Sequence, residues 1–197
     1  MSFLVTEEAP DFVATAATAD DGLEEEFSLT SLRGKYVILL FYPLDFTFVC
    51  PTEIIAFDER IEDFKQRECQ VVGVSVDSQY THLAWRRTPR EHGGIGQIRF
   101  PLVADLDKSI AGSYGVLLNG AVALRGLFLI DREGIVRHAI VNDLPLGRNV
   151  DEALRMLDAL RFHEERGDVC PANWKEGKEG MQPTTEGVAE YLSKYIK

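Results

Sequence analysis

Two short apolar runs, Tyr36 to Tyr42 (YVILLFY) and Gln70 to Val76 (QVVGVSV), restrict what this chain can become. Each has the length of a strand and little that could face water, so both read as buried strands. Between them Ile54, Ile55, Phe57, Ile61 and Phe64 recur on one side of a 3.6-residue period. That spacing predicts one amphipathic helix over Glu53 to Gln66. A second helix is expected at Tyr80 to Arg87, a short segment at PLVAD, and a small helix near Ser109. Leu124 to Ile130 and Ile135 to Asn142 read as strands joined by the turn Asp131-Arg132-Glu133-Gly134. Asn149 then caps a long helix, with Glu152 completing a capping-box-like pattern and Gly167 ending it. The order predicts an α/β fold with parallel pairing first and an antiparallel pair later.

Beyond Gly167 the stretch PANWKEGKEGMQPTTEG is rich in Gly, Pro and polar residues and has little to bury. Val188 to Ile196 reads as a short helix with one apolar side. The expected division is therefore a domain over 1–167 and a C-terminal arm over 168–197, within the size of one core plus an appendage.

Against 21 Lys and Arg stand 32 Asp and Glu, a formal charge of −11, and no long basic run offsets it. Nucleic acid and anionic membrane are poor partners for such a chain. No stretch approaches the roughly 18 apolar residues of a membrane span. The start, MSFLVTEEAPDF, has neither a basic n-region nor a long apolar h-region, so a cytoplasmic protein is expected. Cys50, Cys69 and Cys170 are too few and too scattered for a disulfide framework, a zinc knuckle or a CxxC dithiol. His82, His92, His138 and His163 form no HExxH, and Gly93-Gly94-Ile95-Gly96 lacks the pattern and preceding strand of a dinucleotide site. No metal and no cofactor are expected.

The chemistry concentrates in FYPLDFTFVCPTE, residues 41–53. Proline favours the first position of a helix, so Pro51 makes Cys50 the N-cap, between a buried strand and the positive end of a helix dipole. Such a place favours a thiolate. The alternative is an inert packed thiol, and placement alone leaves both open. A thiolate is also not enough for fast chemistry. Taking a thiol from ~8.5 to ~6 raises its thiolate fraction at pH 7 about 30-fold, but a Brønsted coefficient of ~0.4–0.5 removes roughly 10-fold in nucleophilicity. A fast reaction needs charge stabilised on the departing atom. Candidates are the Thr47 hydroxyl, the Cys50 N–H, and an arginine such as Arg125, which begins the apolar stretch RGLFLI. From the residues alone, the plainer reading of Arg125, an ordinary strand-end charge reaching solvent, is the favoured one.

At this point FYPLDFTFVCPTEIIAF strongly resembles the peroxidatic motif of the typical 2-Cys peroxiredoxins, the AhpC and thioredoxin peroxidase group. The similarity continues through VVGVSVDSQYTHLAW, HGGIG, FPLVAD, RGLFLID, VNDLPLGR and DVCPANW, in order and over nearly the whole chain. The resemblance implies a thioredoxin-like fold, a central mixed sheet flanked by helices, and thiol-dependent reduction of hydrogen peroxide and organic hydroperoxides. By the same resemblance Cys50 is the peroxidatic cysteine, Thr47 and Arg125 hold the thiolate and the peroxide oxygens, and Pro43 shields the intermediate. Glu53 and Arg148 orient the arginine, and Cys170 is the resolving cysteine, supplied by the partner subunit. A homodimer assembling to a decamer is implied, with thioredoxin or a dedicated flavoprotein disulfide reductase as electron donor. Local unwinding at Cys50 and release of the arm would bring the cysteines together. The loop Gly93-Gly94-Ile95-Gly96 and the pair Tyr191-Leu192 depart from the family's GGLG and Tyr-Phe features, and the missing ring would weaken the lid over the site.

Other residues carry plainer expectations. Cys69 packs at the entry of a strand. Trp85 lies near the active-site pocket or fills the core. Arg86, Arg87 and Arg90 form a solvated helix end. Phe46 and Phe48 are core or, by resemblance, part of a contact between dimers. Two other functions remain in play. A thiol–disulfide oxidoreductase is disfavoured because C-P-T-E is not CxxC, and a holdase chaperone or peroxide relay is compatible with the C-terminal helix.

Overall fold

The computed structural model describes residues 4–195. It divides into two units, residues 1–150 and 151–197.

The first unit is built on a seven-stranded mixed sheet. Its strands are β1 (Val13–Ala17), β2 (Leu23–Ser28), β3 (Tyr36–Phe41), β4 (Cys69–Ser75), β5 (Leu102–Ala104), β8 (Arg125–Ile130) and β9 (Val136–Asn142), in the spatial order β2-β1-β5-β4-β3-β8-β9. The two-residue strands β6 (Leu117–Leu118) and β7 (Val122–Ala123) form a separate small hairpin. Pairing is parallel for β3–β4 and β4–β5, and antiparallel for β3–β8 and β8–β9, as the element order predicts. All six residues of β3 are buried. Val37, Leu39 and Phe41 point into a cluster with Val72, Val74, Val103 and Phe128, while Ile38 and Leu40 are buried on the opposite face. A strand covered on both faces has no polar side to show, which is why its sequence is unbroken and apolar.

Helices α1 (Cys50–Glu59), α2 (Ile61–Lys65), α3 (Gln79–Arg87) and α4 (Ser109–Ser113) complete this unit. The helix expected over 53–66 is interrupted: Arg60 leaves helical geometry at φ −103° and ψ 12°. Ile54, Phe57, Ile61 and Phe64 are buried on both sides of the break, so apolar spacing carries no sign of it. The first hairpin, β1–β2, has no counterpart among the strands expected from sequence. The β2 residues Leu23 to Glu26 are exposed and three of them are Glu, while β1 reads VATAA with mostly small side chains, so the apolar signal is weak.

Arg86 corrects another expectation. It is 1% exposed rather than solvated. Its guanidinium pairs with Asp21 at 3.2 Å and donates to the carbonyls of Ala19, Ile98 and Phe100. It fastens the β1–β2 turn to the segment before β5. Arg87 and Arg90 remain exposed. The loop after α3 uses glycine where nothing else fits: a Cβ on Gly94 would lie 1.9 Å from the Thr88 carbonyl oxygen.

The second unit consists of most of α5 (Val150–Arg166), the irregular segment that follows it, and α6 (Thr185–Tyr195). The long helix starts directly after Asn149 and stops before Gly167, whose φ is +75°. A β-bridge joins Val169 and Met181. The Trp174 ring lies 4.8 Å from that of Phe162, and its carbonyl accepts from Arg155. In α6, Val188 and Leu192 are exposed and Tyr191 half-buried, while Ile196 lies outside the described residues. None of the described helices is long and apolar enough to cross a membrane.

Candidate active site

The segment 42–49 leaves the end of β3 and delivers Cys50 to the start of α1. The helix begins one residue earlier than expected. Val49 already has helical angles, φ −84° and ψ −34°, and its carbonyl accepts from Thr52 and Glu53. Cys50 is therefore the first helical residue rather than the N-cap, with Pro51 behind it in the first turn, still at the positive end of the helix. It is fully buried, and none of the three cysteines is joined in a disulfide.

Arg125, the first residue of β8, is 3% exposed and does not reach solvent as an ordinary strand-end charge would. Its Nη1 donates to Cys50 Sγ at 3.4 Å and to Glu53 Oε2 at 2.7 Å, and its Nε donates to the Leu144 carbonyl at 2.6 Å. Glu53, one helical turn after Cys50, also accepts from Arg148. The Arg148 backbone N–H and Nε reach Oε1 at 2.9 and 2.7 Å, and Nη2 reaches Oε2 at 2.9 Å. Arg148 Nη1 donates to the carbonyls of Phe41 and Gly126, tying the site to β3 and β8. Burial lowers the pKa of Arg148, and the hydrogen-bonded Glu53 carboxylate opposes that shift. Two guanidinium groups against one carboxylate leave one net positive charge, which a Cys50 thiolate would balance.

Pro43 is buried at the start of the loop. The Thr47 hydroxyl donates to the Leu44 carbonyl at 2.8 Å. Trp85 is fully buried, with its ring 5.9 Å from Tyr42 and 6.1 Å from Phe46, and its Nε1 donates to the Gly93 carbonyl. It thus links the loop before Cys50 to the glycine loop after α3. Phe46 and Phe48 are 48% and 92% exposed, which overturns their reading as core.

Asp45 and His82 carry no expectation from sequence, yet they form a buried pair. Asp45 accepts from the Tyr42 hydroxyl at 2.8 Å, meets His82 Nδ1 at 2.7 Å, and its N–H donates to Asp77 Oδ2. Burial raises the carboxyl pKa of Asp45, and the hydrogen bond with His82 pulls it back. The signal available was a carboxylate set among apolar residues in LDF, which must find partners if buried. Among the described residues no group of three or more His, Cys, Asp or Glu could hold a metal.

In the second unit, Cys170 Sγ donates to the Ala159 carbonyl of α5 at 3.4 Å. Burial pushes its thiol pKa up, and the charge of Arg155 opposes the shift. Cys69 is buried as the first residue of β4, beside Tyr36, consistent with packing.

Residues 5–139 match the AhpC/TSA family, and residues 159–194 match the C-terminal domain of 1-Cys peroxiredoxin. Alkyl hydroperoxide reductase C of Helicobacter pylori is 58% identical over 190 residues, covering 96% of each chain. Peroxiredoxin-2 of Mus musculus is 56% identical over 188 residues, covering 95% of this chain and 94% of its own. The crystal structure of reduced Plasmodium vivax 2-Cys peroxiredoxin superposes with a TM-score of 0.96 at 53% identity, over 98% of this chain and all of that one.

Proposed function

This chain belongs to the AhpC/TSA family and is a peroxiredoxin with a thioredoxin-like fold, and from that premise we propose that Cys50 is the thiol that peroxide oxidises. The carrying observation is a buried cysteine at a helix start with an arginine 3.4 Å from its sulfur. The Cys50 thiolate attacks one peroxide oxygen. An S–O bond forms, the O–O bond breaks, and the departing oxygen takes a proton and leaves as water or an alcohol. Arg125 steadies the charge on the reacting oxygens and Pro43 limits water, while the Thr47 hydroxyl becomes the second donor by turning its one hydrogen away from the Leu44 carbonyl. Glu53 and Arg148 hold Arg125 in place, and Trp85 supports the loop.

The sulfenic acid then condenses with Cys170 of a partner subunit, giving an S–S bond and releasing water. Thioredoxin, or a dedicated flavoprotein disulfide reductase, restores both thiols. The assembly is a homodimer that builds to a decamer, for which the exposed Phe46 and Phe48 offer an apolar contact. On this reading residues 1–167 form the peroxidase domain and 168–197 the arm that carries the resolving cysteine. Three scattered cysteines without a disulfide framework suit the reducing cytoplasm. The exposed Val188 and Leu192 on α6 favour one second role, a holdase chaperone, alongside the enzyme.

The direct test is hydrogen peroxide consumption by fully reduced protein, beside Cys50→Ser. Consumption in the wild type and none in the variant is expected. Equal consumption in both would remove Cys50 from the chemistry. Aggregation suppression retained by Cys50→Ser would separate the chaperone role from catalysis.

A further inference from the structure

Arg125 starts β8 and Asn142 ends β9, and the sheet register sets the two directly opposite each other. Opposed residues of an antiparallel pair share a face. The Asn142 side-chain Nδ2 donates to the carbonyls of Leu146 and Gly147, at 3.1 and 3.5 Å. Those bonds fold residues 143–147 back over the strand end. Within the loop, the Leu146 N–H donates to the Asp143 carbonyl and the Leu144 N–H to Asp143 Oδ1. The loop therefore turns the Leu144 carbonyl onto Arg125 Nε at 2.6 Å, and its next residue, Arg148, meets Glu53.

The guanidinium is planar, so two fixed hydrogen bonds set its orientation. Glu53 fixes one through Nη1 and Leu144 fixes the other through Nε. Without the Leu144 carbonyl in place, the plane can swing about its Nη1 bond, and the geometry at Cys50 Sγ swings with it.

We propose that Asn142 is a positioning residue for the peroxide reaction: its amide pins the loop whose Leu144 carbonyl aims Arg125 at Cys50. The proposal deepens the reading of Cys50 as the peroxide-oxidised thiol and rests on it.

The test compares two rates on reduced protein. One is the second-order rate constant for hydrogen peroxide and the other is alkylation of Cys50 by iodoacetamide, which needs an accessible thiolate but no peroxide geometry. Asn142→Ala should lower the peroxide constant roughly 10- to 100-fold, the scale of a misplaced catalytic group. Alkylation should change less than about threefold, since the charges around Cys50 remain. Asn142→Asp keeps the shape but cannot donate to the two carbonyls, so it should lose the same selective rate, and it carries the comparison if Asn142→Ala does not fold. In an Arg125→Lys background, which has no Nε, Asn142→Asp should cost less than about threefold more, as residues acting through one group are not additive.

Peroxide constants within threefold of wild type, parallel loss of peroxide and alkylation rates, or full additivity with Arg125→Lys would each overturn the proposal. A wild-type protein whose Cys50 consumes no peroxide would refute the underlying reading instead, and that control separates the two failures.

Discussion

Arg125 Nη1 stands 3.4 Å from Cys50 Sγ although the two residues are 75 positions apart in the chain. One begins β8 and the other begins α1, and both are buried. A cation held against a sulfur in a dry site acts on whatever charge forms there, more strongly than it would in water.

Arg125→Ala should therefore lower the second-order rate constant with hydrogen peroxide by about 10²–10³, the cost of losing one preorganised donor. Stopped-flow oxidation of the reduced protein measures it. A loss under about threefold would place the charge stabilisation elsewhere.

Glu53 lies between two buried arginines, with side-chain exposures of 4% and 2% in its pair with Arg125. Replacing it by Gln removes the negative charge and leaves both cations facing each other. Breaking a buried pair from one side costs about 3–5 kcal/mol. Denaturant unfolding of Glu53→Gln should show a loss on that scale, together with slower peroxide reduction. Unchanged stability would mean that the arginines find other anions or water.

Cys170 offers a pH prediction. Burial raises its thiol pKa and Arg155 pulls it down. A raised pKa means less thiolate at any fixed pH, so iodoacetamide should label Cys170 more slowly than an unstructured cysteine peptide at pH 8, with labelling rising only at higher pH. Arg155→Leu should slow it further at the same pH. Faster labelling in that variant would show that Arg155 acts on the arm's packing rather than on the thiol's charge.

Several of these relationships were legible from residues alone because they are local. Cys50, Pro51 and the apolar run before them sit within one short stretch, and unbroken apolar runs placed β3 and β4. Relationships between distant segments were not. Arg86 looked like part of a surface cluster because its acceptors, the carbonyls of Ala19, Ile98 and Phe100, have no signature in side-chain identity. The Leu144 carbonyl that orients Arg125 is invisible for the same reason. Glu53 and Arg148 became candidates only through the family resemblance, and Arg125, singled out because it begins the apolar stretch RGLFLI, still had an ordinary place in solvent open to it.

The arm supplies a dynamic prediction. Cys170 is held by its hydrogen bond to the Ala159 carbonyl, and the Val169–Met181 bridge and the Trp174–Phe162 stack order the chain around it. On the proposed reading Cys170 bonds the sulfur of a buried helix-start cysteine, which needs Cα atoms within about 4.4–6.8 Å, and release of the arm is expected to allow it. Hydrogen exchange at Val169 and Met181 should accelerate on oxidation, with protection across residues 168–197 reduced. Unchanged protection would contradict release of the arm.

The most direct measurement adds one equivalent of hydrogen peroxide to fully reduced protein, followed by a non-reducing denaturing gel beside Cys50→Ser and Cys170→Ser. The expected result is a covalent dimer that forms rapidly in the wild type and in neither variant. Two thiols oxidised at monomer mass would contradict the intersubunit bond, and no thiol oxidised at all would contradict the role given to Cys50.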